Sequence, residues 1–230
     1  MEVIPVLDLV GGQVAHAKTG DRDAYRPILT PLSPTSDPVD VATGLLALHP
    51  FTALYVADLD AILRRGDNVA AVRRLRLAFP ALRLWIDNGA ADATALAAIL
   101  EHGLGFPILG SESQRDGALV AANRGSDAVA LSLDFRNERF LGPAAILESP
   151  DVWPRRIIVM TLARIGGGAG PDFERLRAVL ALAGARKVYA AGGVRGQADL
   201  AALRTLGCAG VLVASALHNG RLSRADLRRL

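Results

Sequence analysis

Two apolar runs in this 230-residue chain reach an aspartate in nearly the same setting: Val3–Leu9, reading VIPVLDL, carries Asp8, and Ala128–Asp134, reading AVALSLD, carries Asp134. Two carboxylates in one partly desolvated cleft can divide proton transfer. One stays ionised as base, while burial and its neighbour's charge hold the other protonated as acid. The plainer alternative is that each caps a loop by accepting backbone N–H groups. A second chemistry is phosphate binding. Gly192-Gly193 follows the run Lys187–Ala191, and Ala214-Ser215 ends the run Gly210–Ala214. Exposed N–H groups of a glycine turn, with the start of a short helix, favour an anion.

The corresponding earlier stretches read Asp87-Asn88-Gly89 and Gly110-Ser111-Glu112. Carboxylates at 87 and 112 oppose an anion there, so Asp87, Asn88 and Ser111 stand as substrate-side or loop positions. Asp58 closes the run Ala53–Asp58 two residues before Asp60; the alternation turns one of the two toward the site and the other into a loop, where it orders the backbone. Thr161 ends another run, and Arg164 opens the glycine-dense stretch Arg164–Pro171, suited to a closing lid. His16, His49, His102 and His218 share no spacing and are given no catalytic role. The single cysteine, Cys208, has no partners at metal-ligand spacing, so no metal site and no disulfide is expected.

The elements that must carry these residues follow from eight short apolar runs: Val3–Leu9, Ala53–Asp58, Leu82–Asp87, Phe106–Gly110, Ala128–Asp134, Arg156–Thr161, Lys187–Ala191 and Gly210–Ala214. Their near-continuous hydrophobicity suits parallel strands buried on both faces, and the Ala/Leu/Arg stretches between them have helical spacing. Eight such units predict an α/β fold, a (β/α)8 TIM barrel forming one domain over 1–230. An open doubly wound sheet would carry a glycine fingerprint after its first strand. Here Gly11-Gly12 leads instead into a second apolar run, Gln13 to Ala17, as in a hairpin. Half-length echoes support the barrel: VIPVLDL resembles VALSLDF, LWIDNGA sits where VYAAGGV sits, and ILGSES matches VLVASAL. This twofold repeat sets Asp8 and Asp134 across the mouth from each other. Crossover five, residues 135–155, contains Pro143, Pro150 and Pro154 and is too short and too proline-rich for a full helix.

Composition narrows the function classes. With 51% hydrophobic and 21% charged residues the chain is globular, and no apolar run approaches the ~20 residues of a membrane span. No signal-peptide pattern opens the chain, so a cytoplasmic protein without membrane partners is expected. Net charge is only +3, aromatic residues are 5%, and arginines such as Arg64, Arg65, Arg73, Arg74, Arg76, Arg221, Arg224, Arg228 and Arg229 fall in segments of helical spacing, on a solvated face. Nucleic acid is therefore not an expected partner. No pattern fixes an oligomeric state.

At these residues the chain resembles the histidine-biosynthesis barrels, the HisA/HisF-like group of the ribulose-phosphate-binding superfamily. The resemblance runs through Ile4-Pro5-Val6-Leu7-Asp8-Leu9, Gly12-Gln13-Val14, Asp37-Pro38, Tyr55-Val56-Ala57-Asp58-Leu59-Asp60, Leu133-Asp134, Gly170-Pro171-Asp172-Phe173, Gly192-Gly193-Val194 and Asp199-Leu200. It is closer to the isomerase branch, because the cyclase branch has a lysine where His16 stands. That branch implies an Amadori rearrangement of a phosphoribosyl-formimino imidazole carboxamide, needing no metal or coenzyme, with base and acid roles that transfer to Asp8 and Asp134. The chain departs from the family where that substrate would lie. Asp87-Asn88-Gly89 replaces Gly-Gly-Gly, Ala91 replaces an arginine, Ala214 replaces a glycine, Ala163-Arg164-Ile165-Gly166-Gly167 replaces Ser-Arg-Asp-Gly-Thr, and Gly142-Pro143 replaces Gly-Trp. The family substrate carries a phosphate at each end, so the departures imply a ligand with one phosphate or a different far end. Two further readings stay open. One is a specialised relative acting on another monophosphate, in methanopterin or methanofuran one-carbon metabolism, whose members the opening Met1-Glu2-Val3-Ile4-Pro5 resembles. The other is a non-catalytic binding or scaffold barrel.

Overall fold

Branched aliphatic side chains fill the eight runs because each strand has an apolar layer on both of its faces. The computed structural model describes residues 1–16 and 25–229; Ala17, at the end of the expected hairpin, and Lys18 lie outside them. β1 (Glu2–Val10) turns at Gly11-Gly12 into β2 (Gln13–His16), which pairs with β3 (Arg26–Pro27) ahead of α1 (Pro38–Leu48). The first half continues through β4 (Ala53–Asp58), α2 (Leu59–Ile62), α3 (Val69–Ala78), β5 (Arg83–Asp87), α4 (Ala93–Glu101), β6 (Phe106–Gly110) and α5 (Ala118–Ala122). The second half comprises β7 (Ala130–Arg136), β8 (Arg139–Leu141), α6 (Ala144–Glu148), β9 (Arg156–Thr161), α7 (Phe173–Ala183), β10 (Lys187–Ala191), α8 (Gln197–Leu206), β11 (Gly210–Val213), α9 (Ser215–His218) and α10 (Arg224–Leu227).

β1, β4, β5, β6, β7, β9, β10 and β11 pair in that order, each parallel to the next. β11 then pairs back onto β1, from Glu2 opposite Gly210 to Pro5 opposite Val213, closing the ring. The protein is an eight-stranded parallel barrel surrounded by helices, the TIM-barrel α/β fold; closure leaves the ring without an edge. Inside it pack Ile4, Tyr55, Trp85, Ile108, Ile158 and Tyr189, with the Trp85 ring 5.0 Å from that of Tyr189. Leu45, Leu75, Ile99, Val179 and Leu203 fill the layer between strands and helices, each contributing roughly 1.5–3 kcal/mol.

Several carboxylates start helices. Asp37, Asp92 and Asp172 accept hydrogen bonds from Val39 N (2.9 Å), Ala95 N (2.9 Å) and Arg175 N (3.2 Å). That use removes them from the pool of candidate acids.

Crossover five holds no long helix: β8 folds antiparallel onto β7, and α6 spans five residues. The β1–β2 hairpin has the same design. Asp8 pairs with Ala15 and Asp134 with Leu141, each opposite a residue seven positions on. The repeat thus extends to hairpin register. Among the described residues, no helix is long and apolar enough to cross a membrane.

Candidate active site

A cavity of about 400 Å³ opens at the carboxyl ends of the strands, the end where barrels carry their chemistry. Asp8 and Asp134 both line it. Their strands, β1 and β7, are four places apart in the eight-membered ring, so the carboxylates enter from opposite walls. Asp87 and Glu112 line it as well, and Arg164 and Arg221 border its other side. Acidic groups therefore crowd the β1 and β5–β7 side, and cations sit on loops six and eight.

Asp134 is 4% exposed. Oδ1 accepts from Ser132 Oγ at 2.6 Å, and Oδ2 accepts from Glu112 N at 3.2 Å. Ser111 Oγ lies 3.1 Å from Oδ2, 2.9 Å from Asp134 N and 2.7 Å from Leu141 O. The serine hydroxyl has one proton, and the Leu141 carbonyl is its nearer acceptor. Asp134 Oδ2 is its second, more distant acceptor. Burial above all, then the charges of Glu112 and Asp87, raise the Asp134 pKa from 3.8 to about 8, against the lowering pull of the Ser132 and Glu112 hydrogen bonds. Burial and its acidic neighbours thus favour the protonated form of Asp134, while Asp8, half-buried, faces the same space.

Sequence reasoning had no purchase on Tyr55. Its hydroxyl, inside the barrel, donates to Asp87 Oδ2 at 2.7 Å. Burial, with the Asp87 charge behind it, holds the phenol well above its ordinary pKa, so it remains a donor. The strand alternation Ala53, Tyr55, Ala57 was the available signal, since these positions share the inner face. Beside this pair, Asn88 Oδ1 is buried without a hydrogen-bond partner.

Across the mouth the lining changes to backbone. Gly192, Gly193, Ala214 and Ser215 all border the cavity. Gly193 has φ +84°, and a Cβ there would lie 2.2 Å from Gly170 O, so loops six and seven meet where only glycine fits. Arg221 also borders the cavity, although its sequence context reads as an outer helical face; it lies in the turn between α9 and α10, which arginine spacing alone does not reveal. Arg164 bends back onto its own loop, donating to Ala169 O (3.2 Å) and Gly170 O (3.3 Å).

The remaining candidates stand outside the cavity lining. Asp58 caps α2 through Ala61 N (3.1 Å) and accepts Asn68 N and Nδ2 at 2.7 Å each, while Asp60 Oδ2 accepts from Gly11 N at 2.7 Å. Neither is turned toward the site; together they pin the β1–β2 turn. Thr161 Oγ1 donates to Asp172 Oδ2 at 3.4 Å. Ser111 holds Asp134 from outside the lining, and Asn88 is likewise outside it.

The fold and cavity define a closed (β/α)8 barrel with two aspartates on opposite walls of its mouth. More specifically, residues 2–223 match the family described as histidine biosynthesis protein, and the chain belongs to that family. An uncharacterised protein of Methanocaldococcus jannaschii is 29% identical over 237 residues, covering 99% of this chain and 97% of its own. A phosphoribosylated imidazole-4-carboxamide isomerase of Gemmatimonas aurantiaca is 29% identical over 243 residues, covering 100% and 98%. The isomerase of the same name from Thermus thermophilus is 28% identical over 236 residues, 96% of each chain. The relative with no assigned activity is as similar as those with one, so identity alone does not choose the substrate.

Proposed function

We propose that this protein is an acid/base isomerase that carries out an Amadori-type aldose–ketose rearrangement on a phosphorylated, sugar-derived small molecule. Asp134 gives its proton to the ring oxygen as the C1–O bond breaks and the amine lone pair forms a C=N bond. Asp8 takes the C2 proton, giving an enaminol. Return of that proton to C1, with loss of the 2-hydroxyl proton to Asp134, yields the aminoketose and resets both groups. The observation that carries this reading is the pair itself: two aspartates at one hairpin register, in one cavity, with burial and the charges of Glu112 and Asp87 pushing the Asp134 pKa upward. The names of the isomerase relatives support the substrate class.

Gly192, Gly193, Ala214 and Ser215, with Arg221 beside them, hold the substrate's phosphate in this reading. The opposite wall favours a second version of it, in which the substrate is a monophosphate. Asp87 and Glu112 repel a second anion there.

Turnover decides. With the histidine-pathway aminoaldose as substrate, the expected outcome is conversion to the ketose, and Asp8→Asn and Asp134→Asn each cost about a hundredfold or more in kcat. Absence of turnover with retained phosphate binding moves the proposal to the monophosphate version. Full activity in either variant overturns the acid/base pair.

A further inference from the structure

Gly110 sits where two buried carboxylates meet. A Cβ built on it would lie 3.5 Å from Asp134 Oδ2 and 3.6 Å from Asp87 Oδ1, so the acidic ends of β5 and β7 converge on one corner above this residue. Asp87 is 8% exposed and is held there by the Tyr55 hydroxyl at 2.7 Å. The sequence has an aspartate here where the family it resembles has glycine. We propose that Tyr55 and Asp87 are positioning residues for the proton on Asp134: Tyr55 fixes the Asp87 carboxylate beside Gly110, where its charge keeps Asp134 from ionising before substrate arrives. The proposal rests on Asp134 being the acid of the preceding section.

Other charges act on the same group. Glu112, on loop four, raises the Asp134 pKa more than Asp87 does, and burial outweighs both. Glu112 is more exposed than Asp87, however, so salt weakens its effect first. Asp8, Arg164 and Arg221 line the same cavity, and the strand neighbours of Asp134, Leu141 and Met160, carry no charge. The Tyr55–Asp87 pair is the part of this set that solvent and salt reach least. Its purpose follows from timing: an acid that must open a ring has to carry its proton when substrate binds, and a fixed neighbouring anion provides for that.

The test is a carbon-13 NMR titration of the side-chain carboxyls of the full chain, with the Asp134 resonance assigned by its loss in Asp134→Asn. The expected wild-type midpoint is about 8. Asp87→Asn is expected to lower it by about one pH unit or more, and the drop persists in about 0.5 M KCl, whereas the effect of Glu112→Gln shrinks there. Tyr55→Phe, which removes one hydroxyl and keeps the ring, is expected to lower it by about half as much, because Asp87 then competes for the proton. If Asp87→Asn does not fold, Tyr55→Phe alone decides. An Asp134 midpoint within about 0.2 unit of wild type in the folded variants overturns the proposal, as does a wild-type Asp134 that titrates with ordinary carboxylates. The titration uses no substrate, so failure of the isomerase reading in the turnover assay leaves this result untouched.

Discussion

The two halves of the barrel mouth repeat one pattern and carry opposite chemistry. In the first half, the ends of β5 and β6 bring Asp87 and Glu112 to the site, with Asn88 and Ser111 outside the lining. In the second, the ends of β10 and β11 bring Gly192, Gly193, Ala214 and Ser215, with Arg221 on the rim. Yet the strands that open the halves are alike, each placing an aspartate at the same step of an antiparallel hairpin. The backbone plan fixes where groups stand, and the side chains at third- and fourth-strand ends decide which pole of a ligand each half accepts. The pair is symmetric in register, and the departure from symmetry around it is what the proposed division into acid and base rests on.

The largest effect that sharpens this comparison comes from the same substitution on each side. Gly193→Ala forces a Cβ to 2.2 Å from Gly170 O at a φ of +84°. It should cost about 2–4 kcal/mol in denaturant unfolding and abolish phosphate binding. Gly110→Ala meets only ordinary contacts, the nearest 3.5 Å away, and should cost less than about 1 kcal/mol. Equal losses would break the contrast.

Next is the pH dependence of stability. The pKa of Asp134 is raised in the folded state from 3.8 to about 8. Between those values the unfolded chain releases a proton that the folded chain retains, so wild-type stability falls as pH rises through that window and levels off above it. Below about pH 4 both states are protonated and the contribution vanishes. Melting temperatures of Asp134→Asn should lack this component of the slope; parallel curves for variant and wild type would contradict the assignment of Asp134 as the protonated partner.

How much of this was legible beforehand depended on whether the signal was local. The eight apolar runs and the shortened crossover could be read because burial on both strand faces leaves a continuous hydrophobic mark and proline leaves a helix break. Asp8 and Asp134 stood out because repetition singled them out. Asp58 ends a strand in the same manner, but Ala61 N and Asn68 claim its oxygens, a competition settled by the following turn rather than by strand position. The Tyr55–Asp87 bond joins positions 32 apart across two strands, and only inter-strand register brings them together. Arg221 was hidden among arginines of helical spacing.

Smaller effects probe the support of each wall. Ser111→Ala leaves the Leu141 carbonyl and the Asp134 amide without their buried partner, and should cost about 1–3 kcal/mol by chemical denaturation. Arg221→Ala, on the exposed rim, should weaken inorganic phosphate binding only severalfold by calorimetry, with stability within about 0.5 kcal/mol of wild type. A larger loss on the Arg221 side than from Gly193→Ala would shift the anion's anchor from backbone to side chain.

The asymmetry of the mouth is tested most directly by a crystal structure grown with inorganic phosphate. The account requires an anion held by the backbone between Gly193 and Ser215, and an empty corner at Asp87-Asn88-Gly89. A phosphate cradled by Asp87, Asn88 and Gly89 instead would contradict it.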